Sequence, residues 1–291
     1  MPRVTPLSYS DWTVPESDVV GDTPVSALEA GDVLFLPNLG FAIVPSERRF
    51  LSPAIAAHAK NVSFDPRTSR LGGTSLQGSD AAGLREMVSR FSHQAASLVG
   101  QLFPRYRDRM AIGRTSFRPV EIAGRASSWR KDDTRLHVDS FPATPVQGRR
   151  ILRVFTNVNP DGCSRTWRIG DDFDRIAQRF ARPFRPPLPG SAALLRLLRV
   201  TKSRRSLYDA LMLQLHDRMK AAADYQAHAD QMTFDFPPAT TWIAFTDQVS
   251  HAAMAGQYQL EQTFLVPLDA MLDERRSPLR ILERTVGRSL C

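Results

Sequence analysis

After residue 103 the hydrophobic period of this chain changes, and that change limits what it can fold into. Within 79–103, Leu84, Met87, Val88, Phe91, Ala95, Leu98, Val99 and Leu102 form one apolar stripe. That spacing predicts a helix, with Ser79 or Asp80 as its cap. Downstream, segments 114–122, 134–141, 149–158 and 164–169 are short and extended or alternating, with turn signals between them. Pro160-Asp161-Gly162 is the strongest of these turns. Strand patterns return at 239–247 and 257–266, and residues 31–44 read as short strands broken by turn residues. Residues 46–78 read as irregular. A short helix is expected over 171–180, a proline-rich stretch over 181–205, and a second long helix over 206–226, where Leu207, Leu211, Leu215 and Met219 recur. Early helices followed by many short strands predict a mainly β chain with flanking helices, its core a double-stranded β-helix (a cupin-like jelly roll). The expected organisation is one catalytic domain over 1–291, with N-terminal helical and irregular elements at about 46–103 and a helical insert at about 171–230.

Composition bounds the partners. Of the 291 residues, 42% are hydrophobic and 23% charged, so a sizeable core is expected. The N-terminus has no apolar stretch and no run approaches a membrane span, which predicts a cytoplasmic protein. Cys163 and Cys291 are too far apart in sequence to suggest a disulfide framework. The net charge is +8, and lysine occurs only at Lys60, Lys131, Lys202 and Lys220, so arginine carries the surplus. Such a surplus suits an anionic partner, although coding bias toward arginine would give the same ratio. No nucleic-acid motif is present, and the basic residues are interspersed with acids, so no nucleic-acid partner is expected.

His137-Val138-Asp139 supplies two metal ligands in three residues. On an extended segment, side chains at i and i+2 point the same way, so imidazole and carboxylate converge while Val138 packs behind. Two histidines and one carboxylate with open positions opposite suit non-haem Fe(II) oxygen chemistry. The third ligand is expected at His251, between the strand patterns at 239–247 and 257–266. His93, His216 and His228 fall in helix-like stretches far from the strand pattern, and His58 precedes every proposed core strand.

Arg153 interrupts the apolar run Ile151-Leu152-Arg153-Val154-Phe155. A buried guanidinium needs a carboxylate partner. That partner is either an acid of this chain or a bound one, such as the distal carboxylate of 2-oxoglutarate held bidentately. Arg118 interrupts a second strand-like run. Arg165 and Trp167 share one face of a third and could hold an acidic sugar, the arginine on its carboxylate and the indole on its ring. Each of these three would also serve as an ordinary surface residue. Arg125, Trp129, Arg130 and Lys131 precede the motif as a basic rim.

These residues and several longer strings carry a resemblance. The strings are Arg-Leu-His-Val-Asp-Ser-Phe-Pro (135–142), Arg-Ile-Leu-Arg-Val-Phe-Thr-Asn-Val-Asn-Pro (150–160), Arg-Thr-Trp-Arg-Ile-Gly (165–170), 206–217 and 247–264. With them the chain resembles the Fe(II)/2-oxoglutarate-dependent oxygenases, and most closely the bacterial hydroxylases of 3-deoxy-D-manno-oct-2-ulosonic acid (Kdo). The resemblance implies Fe(II), 2-oxoglutarate and dioxygen as cofactor and cosubstrates, succinate and CO2 as products, and C3 of Kdo in Kdo-lipid A as the target. It implies His137, Asp139 and His251 as metal ligands. Many relatives place the cosubstrate arginine about ten residues after the distal histidine. Here 256–261 holds no basic residue, so the role moves to Arg153, with Gln257, Tyr258 and Gln259 as lesser candidates. A lipid-linked acceptor implies the inner leaflet of the inner membrane as a peripheral contact. The leucine-arginine stretch 192–205 would rest on it, unless its leucines pack on the barrel.

Overall fold

The computed structural model describes residues 3–15, 21–57, 59–125, 127–182 and 184–291; His58 and Pro183 therefore lie outside the described residues. In chain order the strands are β1 (Val4–Pro6), β2 (Val33–Leu36), β3 (Val62–Asp65), β4 (Arg70–Gly72), β5 (Ala111–Arg118), β6 (Arg150–Asn157), β7 (Arg165–Ile169), β8 (Met232–Phe236), β9 (Thr241–Phe245), β10 (His251–Ala255) and β11 (Gln259–Val266). The helices are α1 (Thr23–Glu29), α2 (Gly78–Leu102), α3 (Pro104–Arg107), α4 (Phe173–Phe180), α5 (Ser191–Leu197), α6 (Leu207–Ala221), α7 (Ala223–His228) and α8 (Pro278–Val286). One sheet has the order β1-β2-β9-β6-β11-β5-β3-β4, and a smaller sheet has the order β10-β7-β8. This is the mainly β jelly-roll class with flanking helices that the strand pattern predicts.

The period-2 alternation of β6 explains how the large sheet serves two cores. Leu152 and Val154 face the cluster built around α2, where all eight stripe residues are buried. Phe155 faces the other way, into an aromatic cluster with Trp167, Phe236 and Trp242 between the two sheets. Arg153 shares that inner face by parity. A third cluster packs α4, α6 and α8 beside Leu136, Val138 and Ile151. The residues between β7 and β8 hold α4 to α7, where the helical insert is expected.

Several local expectations differ from the structure. Segment 134–141 is not a strand; among the described residues its only ladder contact is an isolated antiparallel bridge between His137 and His251. Segment 46–78 is not wholly irregular, since β3 and β4 pair antiparallel there. Only Val33–Leu36 of 31–44 is a strand, because Pro37 and Asn38 form the turn that ends it. α2 starts after Gln77 rather than at Ser79 or Asp80. The long helix expected over 206–226 breaks at Ala222, whose extended ψ of 92° separates α6 from α7.

Candidate active site

His137 and His251 exchange both backbone hydrogen bonds of their bridge, at 3.0 and 2.9 Å, which brings the two imidazoles to a centroid distance of 4.7 Å. Asp139 N–H donates to Thr246 O at 2.7 Å, fixing the other end of the motif against the turn that leads to His251. One ligand atom each of His137, Asp139 and His251 lies within 4.8 Å of the others, and all three residues are buried. Among the described residues no other such group of histidines and acids is found.

The donor set fits a metal. Each histidine Nδ1 is tied to a backbone carbonyl two residues earlier, Arg135 O at 2.7 Å for His137 and Val249 O at 2.8 Å for His251. A carbonyl only accepts, so both Nδ1 atoms carry the proton and both Nε2 lone pairs remain for an ion. Burial lowers the pKa of both rings, and for His137 the neighbouring His251 and Lys220 add to this, so both are neutral at pH 7. Asp139 Oδ2 has no hydrogen-bond partner, though the Arg153 guanidinium lies 3.3 Å away as an ion-pair contact. Burial would raise the Asp139 pKa, but Arg153 and the two histidines outweigh it and hold the carboxyl below its usual range.

The triad opens into a small cavity of about 60 Å³. The three expected metal ligands, Arg153, Arg118, Arg165 and Trp167 all line it. The two sheets divide the lining. β5, β6 and β11 supply Arg118, Arg153, Gln259 and Glu261, while β7 and β10 supply Arg165, Trp167 and His251. Gly256 makes the turn between β10 and β11 at φ +104°, and a Cβ there would stand 2.8 Å from Ser164 O. Its carbonyl accepts from Arg165 Nη1 and its N–H donates to Glu121 Oε1, so this close approach aims Arg165 inward.

Sequence reasoning missed Glu261 and His216. Glu261 bridges two guanidiniums: Arg153 Nη1 at 3.0 Å on one oxygen, Arg118 Nε and Nη2 at 3.0 Å on the other. The buried acid that Arg153 calls for is thus found inside the chain. The signal was an acid inside the strand pattern at 257–266, between Leu260 and Gln262. Burial opposes ionisation of Glu261, yet Arg118 and Arg153 outweigh it and lower its pKa. Burial likewise opposes the Arg118 cation, while Glu261 and Asp133 raise its pKa overall. Arg165 has no ion pair among the described residues; burial and the nearby Arg118 bring its pKa down to about 9, so it is still a cation at neutral pH. Its Nε, like that of Arg153, has no partner. His216 corrects the expectation that it lies far from the strands: its ring packs edge-on to His137 at 5.1 Å, and its Nδ1 bonds Val138 O at 2.9 Å.

Trp167 lines the cavity but also stacks on His251 at 5.0 Å and meets Phe155 and Trp242 edge-on, so it is a wall behind that imidazole. Of the lesser candidates, Gln259 lines the cavity with its Oε1 unpartnered. Tyr258 belongs to the α2 core, and Gln257 is not among the lining residues.

A buried two-histidine, one-carboxylate centre, open on one side and set between the sheets of a jelly roll, is the arrangement of the non-haem Fe(II) oxygenases. The family model for 3-deoxy-D-manno-oct-2-ulosonic acid (Kdo) hydroxylase matches residues 11–289, and the chain belongs to that family. Among solved structures, the Kdo hydroxylase KdoO, a non-haem Fe(II) α-ketoglutarate-dependent dioxygenase, is similar over the full length. Its complex with α-ketoglutarate and Fe(III) is 43% identical with a TM-score of 0.94, covering 100% of this chain and 97% of that one. Its cobalt(II) complex is 44% identical with a TM-score of 0.95, and its complex with succinate and Fe(III) 43% identical with a TM-score of 0.94, at the same coverage. No curated protein sequence matches the chain.

Proposed function

We propose that this chain, read as one catalytic domain over 1–291, is an Fe(II)- and 2-oxoglutarate-dependent dioxygenase that hydroxylates C3 of Kdo in Kdo-lipid A. The observation that carries the reading is the convergence of three buried ligand atoms at one end of an arginine-walled cavity. His137, Asp139 and His251 would hold the iron. With 2-oxoglutarate, the metal would supply dioxygen activation, one oxygen atom going to the substrate C–H bond and the other to succinate as CO2 is lost.

The chain's own residues do the positioning. The Nδ1 bonds to backbone carbonyls orient both imidazoles. Arg153 uses Nη1 on Asp139 and Glu261, which leaves the unpartnered Nε edge of its fork for the distal carboxylate of 2-oxoglutarate. Arg165, a buried cation without a carboxylate, is the strongest remaining receptor for an anion. With Arg118 and Trp167 it would hold the sugar acid. The aromatic wall of Phe155 and Trp167 keeps that end of the cavity dry, which strengthens each charge contact.

The test is anaerobic addition of Fe(II) and 2-oxoglutarate, read by the visible metal-to-ligand charge-transfer band. His137→Ala and Asp139→Ala are expected to abolish it; a band kept in both variants overturns the site assignment. Succinate release with Kdo-lipid A, against unrelated acceptors, tests the substrate. An Arg165→Lys variant that raises KM for 2-oxoglutarate rather than for the sugar would reassign Arg165 to the cosubstrate.

A second part of the reading concerns where the enzyme works, which we place at the cytoplasmic face of the inner membrane. Among the described residues no helix is long and apolar enough to cross a membrane. α5 has no buried residue, and Leu188, Leu197 and Leu198 are 80%, 78% and 63% exposed. Those leucines therefore do not pack on the barrel. Arg196, Arg199, Lys202, Arg204 and Arg205 stand among them, a composition suited to an anionic lipid surface. Arg205 Nη2 donates to Pro142 O and Lys202 N to Ala143 O, so this surface adjoins the strap that follows Asp139. Sedimentation with phosphatidylglycerol vesicles should weaken for Leu197→Asp with Leu198→Asp. Unchanged binding would sink the membrane contact and leave the enzyme reading intact.

A further inference from the structure

We infer that Gln226 is a positioning residue for the metal centre: its side-chain amide stands in for a missing strand and sets the orientation of His137. The inference rests on the triad reading above. Segment 134–141 has ladder contact on one side only, where His137 pairs with His251. In an extended segment the N–H and C=O of successive residues point to opposite sides. The N–H and C=O of Leu136, a fully buried residue, therefore point away from β10, where no strand of the described residues meets them. Left unpaired there, both groups would be costly.

Gln226 satisfies both. Its Oε1 accepts from Leu136 N at 2.7 Å, and its Nε2 donates to Leu136 O at 3.0 Å. That two-bond pattern is what a residue of a neighbouring strand would supply. The second Nε2 hydrogen goes to Met219 O at 2.9 Å, near the end of α6, so the amide cannot rotate freely. The break at Ala222 carries weight here, because it lets α7 turn Gln226 back toward Leu136.

One peptide plane connects this clamp to the ligand. The Leu136 N–H that Gln226 holds and the Arg135 C=O belong to the same planar peptide. That carbonyl receives the His137 Nδ1 proton at 2.7 Å. The next peptide contains the Leu136 C=O held by Nε2 and the His137 N–H bonded to His251 O. Both peptides flanking the Leu136 α-carbon are therefore fixed by one side chain on the side away from His251. Only a carboxamide of this length offers the donor and the acceptor together. A carboxylate would accept from Leu136 N but would repel the Leu136 and Met219 carbonyls.

Gln214 provides an internal control. It also clamps one residue's backbone, accepting from Arg185 N at 3.2 Å and donating to Arg185 O at 2.6 Å, but it holds the proline-rich segment and no ligand. The experiment is anaerobic titration of the full chain with Co(II), beside thermal melts, for Gln226→Met, Gln226→Glu, Gln214→Met and His137→Ala. We expect both Gln226 variants to bind Co(II) at least tenfold more weakly, in the range reported for lost outer-sphere partners. Gln214→Met should lower Tm by a similar amount and leave Co(II) affinity unchanged. Parent-like affinity in Gln226→Met, or equal weakening in Gln214→Met, overturns the inference. So does loss of folding in both Gln226 variants, since the amide would then support the fold rather than the centre. If His137→Ala keeps full affinity, the triad reading itself fails; if only His137→Ala loses it, this inference alone fails.

Discussion

Glu261 decides how the charges of the cavity are shared. It accepts from Arg118 with one oxygen and pairs with the Arg153 cation through the other, and Arg153 reaches Asp139 with the same Nη1. Removing the Glu261 charge leaves two buried guanidiniums competing for Asp139, which the proposed metal centre would need as a ligand. Breaking a buried pair from one side costs about 3–5 kcal/mol. Glu261→Gln should therefore lose about 3 kcal/mol of stability in denaturant unfolding and raise KM for 2-oxoglutarate. An unchanged KM in a folded variant would mean that Arg153 does not depend on Glu261 for its position. Arg153 was legible in the sequence because a lone cation in an apolar strand is anomalous. Glu261 was less legible, because Gln259, Gln262 and Thr263 in the same strand make a lone acid there less anomalous. His216 was not legible at all: its role depends on which face of α6 meets Val138, which helical spacing leaves open.

At the scale of elements, periodicity gave the α2 stripe and the strands on either side of His251, because burial of one face is a local pattern. It misassigned 134–141, because an alternating segment can be held by side chains instead of by a strand. α6 shows the same principle at its start. Ser206 and Asp209 form a capping box, with Ser206 Oγ accepting from Asp209 N at 3.1 Å and Asp209 Oδ2 accepting from Ser206 N at 2.9 Å. Asp209 Oδ1 also accepts from Val146 N at 2.8 Å and Gln147 N at 3.1 Å, where Gln147 has a φ of +55°. One carboxylate thus caps the helix and pins the strap that runs from Asp139 to β6. Loss of a cap alone costs about 1 kcal/mol. Ser206→Ala should show about that loss. Asp209→Ala, which also strands two backbone donors, should lose about 3 kcal/mol. Equal losses in urea melts would show that the strap contacts contribute nothing.

The whole molecule brings two sheets together around one cavity, and neither sheet holds a complete site. The large sheet presents Arg118, Arg153 and Glu261; the small one presents Arg165 and His251; the segment between β5 and β6 brings His137 and Asp139. A divalent ion arriving alone adds two positive charges beside three arginines, one of them 3.3 Å from the ligand Asp139. A dicarboxylate arriving alone meets the arginines but nothing at its other end. Together they compensate each other in a site where charges are poorly screened. Metal and 2-oxoglutarate should therefore bind with positive coupling of at least about 1.4 kcal/mol, a factor of about ten in either affinity, and the coupling must be reciprocal. Because the pair joins residues of both sheets, binding should also raise Tm by more than the sum of the separate shifts. Isothermal titration with Co(II), with and without saturating 2-oxoglutarate, measures the coupling. Succinate, a dianion without the keto group, should retain part of it, and neutral dimethyl succinate none. If dimethyl succinate matched succinate, charge compensation would not be the source. If Co(II) affinity were indifferent to 2-oxoglutarate, the arginine-walled cavity and the triad would not form one site.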